Sequence, residues 1–155
     1  MHDTNIAILV DRFMRRIHGG LQTRAAEFDT ENVGPGGGMI LLTLADVEPA
    51  PVQRIAQLMA RDKSQMTRAI KSLESKGLIG RASEASDARV SLLHLTAKGR
   101  KAVTRIQQAL ATVIGEILEP LAVSERRKLT DLLDRVDSFS ASTVRQEAKR
   151  TESSP

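Results

Sequence analysis

The sequence predicts a mainly α protein: a winged helix-turn-helix carried between long N- and C-terminal helices suited to dimerisation. Three observations lead there. Apolar residues recur at 3–4 spacing near both ends, the mark of one-sided helices. Two short helices meet across Ala60-Arg61-Asp62 in the middle of the chain. Directly after the second, the period shortens toward that of two strands joined by a polar loop.

In order along the chain, Ile6, Val10, Phe13, Ile17 and Leu21 form one stripe of a helix expected from about Thr4 to Phe28. The run Gly34-Pro35-Gly36-Gly37-Gly38 is expected to break the helix and act as a flexible connector. It lacks the Lys-Ser/Thr pair of a phosphate-binding loop and the strand that precedes a dinucleotide site. A short helix over Met39–Val47 stops at Glu48-Pro49-Ala50-Pro51, and Pro51 suits the first turn of a helix over about 51–59. Asp62 is a natural N-cap with Gln65 at the capping-box position, and Gly77 should terminate the helix after Lys76. Strands are expected over 78–82 and 90–95. Thr96 caps a long helix whose Val103, Ile106, Leu110, Val113 and Ile117 form a heptad-like seam ended by Pro120. Ser124 caps a last helix bearing Leu129, Leu132, Leu133, Val136 and Phe139. The expected division is dimerisation helices at 4–34 and 102–145, a DNA-binding lobe at 37–101, and a disordered tail at 146–155.

Composition narrows the function. The 155 residues include no Cys and only three aromatics, all Phe. Without thiols there is no disulfide, thiolate metal site or thiol redox switch. Without exposed aromatics there is no stacking platform for single-stranded nucleic acid. No apolar run reaches the ~18–20 residues of a membrane span, and Ile6–Val10 is too short for a signal peptide. A soluble, cytoplasmic protein with no membrane partner is expected. Its three His stand apart, with no i, i+4 pair for a metal, and no nucleophile elbow is present. No enzyme activity, cofactor or metal is expected.

Charge is unevenly placed. The net charge is +4, yet residues 51–105 hold twelve basic side chains against four acidic ones, a balance of +8. The remainder, eleven against fifteen, is −4. A basic middle between acidic ends is an electrostatic footprint for a polyanion, most often nucleic acid. On the helix after Asp62, Met66, Ala69, Ile70 and Leu73 share the inner face. Lys63, Ser64, Gln65, Thr67, Arg68 and Lys71 are candidate DNA contacts, with Ser64, Gln65 and Arg68 placed to reach bases in the major groove. The wing adds Arg81, Asp87 and Arg89. An Arg at its tip suits the negative potential of a narrow minor groove, and Asp87 can orient Arg89. An ordinary solvated surface with a weak ion pair would read the same way taken piece by piece.

The segments Asp62-Lys63-Ser64-Gln65-Met66-Thr67-Arg68, Leu73-Glu74-Ser75-Lys76-Gly77-Leu78-Ile79, Ser86-Asp87-Ala88-Arg89 and Leu93-His94-Leu95-Thr96-Ala97-Lys98-Gly99 together resemble the MarR family of bacterial transcriptional regulators. The Asp-x-Arg wing followed by L-x-L-T-x-K-G is the most specific part. The resemblance implies an obligate homodimer with two winged lobes on double-stranded DNA. It departs from the family at Gly36-Gly37-Gly38-Met39, where relatives often carry aromatics. The expected activity is repression from a pseudo-palindromic operator, relieved by a small anionic or phenolic effector held near Phe13, Ile17, His18 and Met39. The alternative is a winged-helix protein adaptor or a nucleoid-type binder without sequence choice.

Overall fold

A computed structural model describes the backbone of residues 2–152 and the side chains of residues 3–139. The element order is α1 (His2–Phe28), α2 (Gly34–Val47), α3 (Val52–Leu58), α4 (Lys63–Ser75), β1 (Ile79–Ser83), β2 (Ser91–Leu95), α5 (Ala97–Ile117) and α6 (Val123–Glu152). The chain divides into two compact units, residues 1–114 and 115–155.

In the first unit, apolar faces of α2, α3 and α4 close on the wing. Ile40, Leu41, Leu44, Ile55, Met66 and Ile70 are fully buried, with Leu78 and Leu93 beneath the strands. Each such side chain contributes about 1.5–3 kcal/mol by leaving water. β1 and β2 pair antiparallel, Ile79 opposite Leu95 and Ser83 opposite Ser91. Ala50 adds a third edge by exchanging both backbone hydrogen bonds with Leu93, at 3.1 and 2.7 Å. The Glu48–Pro51 stop thus doubles as sheet, which no short motif signals. Glu48 reinforces it: its carboxylate accepts the Leu95 N–H at 2.6 Å and pairs with Arg100.

The glycine run is the main departure from expectation. Gly34–Gly38 is the first part of α2, not a connector. Both oxygens of Asp29 accept backbone N–H groups, from Val33 and Gly34 at 2.9 Å each, which fixes the corner between α1 and α2. Pro35 then occupies the first turn, where no N–H is needed. A Cβ on Gly37 would lie 2.9 Å from Val33 Cβ and 3.5 Å from Leu73 Cδ2. Close packing therefore overrides poor helix propensity here.

Three residues of the L-T-x-K-G segment bind α5 to the end of α4. Thr96 Oγ1 donates to Gly77 O at 2.6 Å and accepts the Gly99 N–H at 3.0 Å, capping α5 as expected. Lys98 Nζ donates to Lys76 O at 2.9 Å. Gly99 lies so close to the chain that an added Cβ would be 2.1 Å from Leu78 O. Gly77 ends α4 with φ +73°, a conformation side chains rarely adopt.

Other boundaries shift slightly. Pro51 is the N-cap of α3 rather than its first residue. In the second unit α6 starts at Val123, and Glu125 rather than Ser124 serves its start, accepting the Ala122 N–H at 2.7 Å. The tail expected to be disordered from 146 is helical through Glu152, since Gln, Glu, Ala, Lys and Arg are all good helix formers. Residues 153–155 lie outside the described residues.

Gly99→Ala is expected to destabilise the fold by more than about 3 kcal/mol, because backbone at both sides must move. Gly19→Ala, where nothing lies within 4 Å, should instead raise stability by up to about 1 kcal/mol by helix propensity. Chemical denaturation of the two variants checks both signs.

Candidate nucleic-acid interface

The outer face of α4 begins at its cap. Asp62 Oδ1 accepts the backbone N–H groups of Ser64 at 2.7 Å and Gln65 at 3.2 Å. Those two bonds, Gln65 first, hold the Asp62 carboxyl below its ordinary range, with Arg68 adding a smaller attraction. From this start, Met66, Ile70 and Leu73 turn inward and are buried. Lys63, Ser64, Gln65, Arg68 and Lys71 are exposed together on the opposite face. Thr67 lies at the edge, half-buried, and its hydroxyl donates to Lys63 O at 2.8 Å.

The wing supplies the second part. Val90 N–H donates to Asp87 O and Glu84 N–H to Val90 O, both at 3.0 Å, which closes the tip. Asp87 Oδ1 accepts both the backbone N–H of Arg89 at 3.0 Å and its Nε at 3.2 Å. The Arg89 side chain stays 92% exposed. The carboxylate thus steers a guanidinium that reaches into solvent. Arg81, the other basic candidate on the wing, is ion-paired within the lobe. Its guanidinium donates to Glu74 Oε1 at 2.5 Å and Oε2 at 3.2 Å, bracing β1 against α4. The Glu74 bond raises the Arg81 pKa further above its high ordinary value.

Five of the twelve basic residues of the middle segment are held internally. Arg81 binds Glu74 and Arg100 binds Glu48. Lys76, Lys98 and Arg105 hold the corner at Phe28–Asn32. Arg54, Arg61, Lys63, Arg68, Lys71 and Lys101 are exposed and form no ion pair among the described residues, and Arg89 is paired only with its own loop. These seven carry the segment's outward positive charge, three of them on α4 and one at the wing tip.

A second feature lies within the same unit: a cavity of about 340 Å³ between α1, α2 and α5. Ile17, His18 and Met39, three of the candidate effector contacts, are among its lining residues. Phe13 is not; it is half-buried one turn earlier on α1, outside the lining. Sequence reasoning missed Leu21, Ala25, Phe28, Leu42, Ile106 and Leu110. The signal was present on α1, where 17, 21, 25 and 28 continue one stripe. The start of the helix opposite, with Gly34, Pro35 and Gly38, is not assigned while 34–38 reads as a connector. No group of three or more metal-ligating side chains gathers among the described residues, and no described helix is long and apolar enough to cross a membrane.

A capped helix with a polar outer face, followed by a hairpin carrying an oriented Arg, defines a winged helix-turn-helix protein with a DNA-binding fold. The MarR family model matches residues 37–91, the span from within α2 to the start of β2. A putative transcriptional regulatory protein for the hcr operon of Thauera aromatica is 33% identical over 120 residues, covering 76% of this chain and 72% of that protein. The chain belongs to the MarR family of transcriptional regulators. Among solved structures, FabT of Streptococcus pneumoniae in complex with DNA is similar with a TM-score of 0.67 at 17% identity, over 92% of this chain and 99% of that one. The PcaV transcriptional regulator of Streptomyces coelicolor, in complex with its natural ligand, gives 0.60 at 23% identity, over 85% and 91%. These two likenesses are of fold.

The Asp62 cap makes α4 sensitive to acid. A carboxyl whose folded pKa is lowered stabilises fully above its unfolded pKa, and that contribution is lost as pH falls through the lowered value. Thermal unfolding of wild type and Asp62→Asn should therefore differ most near neutrality, and the difference should shrink as the pH drops below the ordinary carboxylate range. A difference independent of pH would place the cap's contribution elsewhere than in its charge.

Proposed function

We propose that this regulator is a homodimeric repressor that occupies a pseudo-palindromic operator and is released by a small molecule in the α1–α2–α5 cavity. The observation that carries the DNA reading is the exposed face of Lys63, Ser64, Gln65, Arg68 and Lys71 beside a wing-tip Arg89 already oriented by Asp87. With α4 in the major groove, its N-terminal residues Ser64, Gln65 and Arg68 read base edges. Lys63, Thr67 and Lys71 hold phosphates, while Arg89 enters the adjacent minor groove.

The dimer reading rests on apolar surface. On α1, Ile6, Leu9, Val10 and Met14 are each at least half exposed, a stripe at helical spacing that a soluble monomer would not leave in water. On α6, Val123, Leu132 and Leu133 are likewise exposed. A twofold partner covers such stripes with the same residues of its own. It also sets two recognition helices about 34 Å apart, one helical turn of duplex.

Arg68→Ala should cost about 1–3 kcal/mol of operator affinity and relax the preference for one base pair, whereas Arg89→Ala should weaken all duplexes alike and reduce the salt slope by about one. Fluorescence anisotropy over a salt series, on the chain's own upstream DNA and on random duplex, reads both. Unchanged affinity in both variants would favour a protein-binding adaptor. Leu9→Glu with Leu133→Glu should shift sedimentation from dimer to monomer and weaken operator binding. A wild-type chain that is already monomeric at micromolar concentration refutes the dimer.

A further inference from the structure

The cavity has a chemical preference that its position alone does not dictate. Its walls are mainly hydrocarbon: Ile17, Leu21 and Phe28 from α1, Leu42 from α2, Ile106 and Leu110 from α5. Among the described residues, its polar lining consists of His18, Gln22, Asp29 and Asn32, and no Lys or Arg lines it. Asp29 is part of the wall, and its two carboxylate oxygens are held in place by the backbone N–H groups of Val33 and Gly34. Three cations near the turn are engaged elsewhere. Lys76 Nζ holds Glu31 O and Asn32 O at 2.8 and 3.1 Å. Lys98 pairs with Glu31 at 3.0 Å, and Arg105 donates to Phe28 O at 3.3 Å.

An anion entering this space would leave water, gain no cationic partner and face a fixed carboxylate. Each of those terms opposes binding. A neutral molecule has none of these penalties and gains the transfer of its apolar surface. We propose that the cavity binds an uncharged, mostly apolar one- or two-ring molecule through one hydrogen-bonding group, met by His18, Gln22 or Asn32, and rejects the carboxylate of the same shape. The volume, near the lower end of small-molecule sites, suits that size. The inference deepens the effector reading above, because it names the ligand class of that cavity, and it narrows the small anionic or phenolic effector expected from the sequence to an uncharged one. Arg15 is paired to Asp11 at 2.9 Å, and neither Arg15 nor Arg16 lines the cavity.

The test uses the full chain and two probes of nearly identical shape, 2-naphthamide and 2-naphthoate, titrated calorimetrically at neutral pH. The amide is expected to bind at least about tenfold tighter than the carboxylate. Ala25→Phe fills the cavity and should abolish amide binding. Gln22→Arg, at an exposed edge of the lining, introduces the missing cation and should raise carboxylate affinity by about tenfold, which a misfolded variant could not do. Equal or tighter carboxylate binding by the wild type, no binding of either probe at millimolar concentration, or amide binding indifferent to Ala25→Phe would each overturn the proposal. DNA anisotropy in the same samples separates the two readings. An amide that fills the cavity and leaves operator affinity unchanged supports the ligand class and overturns the effector role.

Discussion

The position of α4 depends on how three cations hold one corner of the chain. Between α1 and α2, residues 28–32 present the carbonyls of Phe28, Glu31 and Asn32 and the Glu31 carboxylate. Arg105, Lys76 and Lys98 converge on them. Lys98 also takes Lys76 O, at the carbonyl end of α4 where a helix favours positive charge. Asn32 adopts φ +52°, a left-handed conformation that Asn tolerates better than most residues. Glu31 is only a quarter exposed, so its bonds are less screened than those of a surface pair. Without this corner, α4 would keep its apolar packing but lose the polar contacts that fix its end against α1 and α5.

That arrangement changes the meaning of a basic segment. Clustered Lys and Arg suggest a polyanion partner, yet part of the cluster here is internal bracing. Arg81 on Glu74 and Arg100 on Glu48 set the wing against α4 and α5, as the corner cations set the end of α4. What remains for the proposed DNA contact is smaller and better directed: an oriented Arg at the wing tip and a row of side chains without ion pairs on one helix face. Electrostatic steering works through where such charges point rather than through their sum.

The parts legible in the sequence are those encoded by local chemistry. Asp62, Gly77 and Thr96 mark helix ends because each acts on backbone groups within a few residues. The strands and the Asp87–Arg89 pair are local in the same sense. What was not legible depends on distant partners. Gly34–Gly38 reads as a breaker until Val33 and Leu73 are seen against Gly37. Arg81 reads as a wing contact until Glu74 lies beside it, and Ala50 reads as linker until it meets Leu93. Phe13 falls outside the cavity because the stripe that enters it starts at Ile17.

The same corner bears on regulation. Asp29, Asn32, Val33 and Gly34 are at once wall of the cavity and part of the turn that Lys76 grips from the end of α4. A molecule that fits the cavity as it stands stabilises the present placement of α4. One that needs more room favours a placement in which the turn has moved. Only a difference in affinity between two placements can shift the balance between them, however tightly the molecule binds. Under the proposed effector role, the sign of regulation would be set by ligand size against a wall that includes this turn, and ligand charge would decide which molecules enter. Asp29 serves both: its carboxylate fixes the turn through Val33 and Gly34 and disfavours anions beside it.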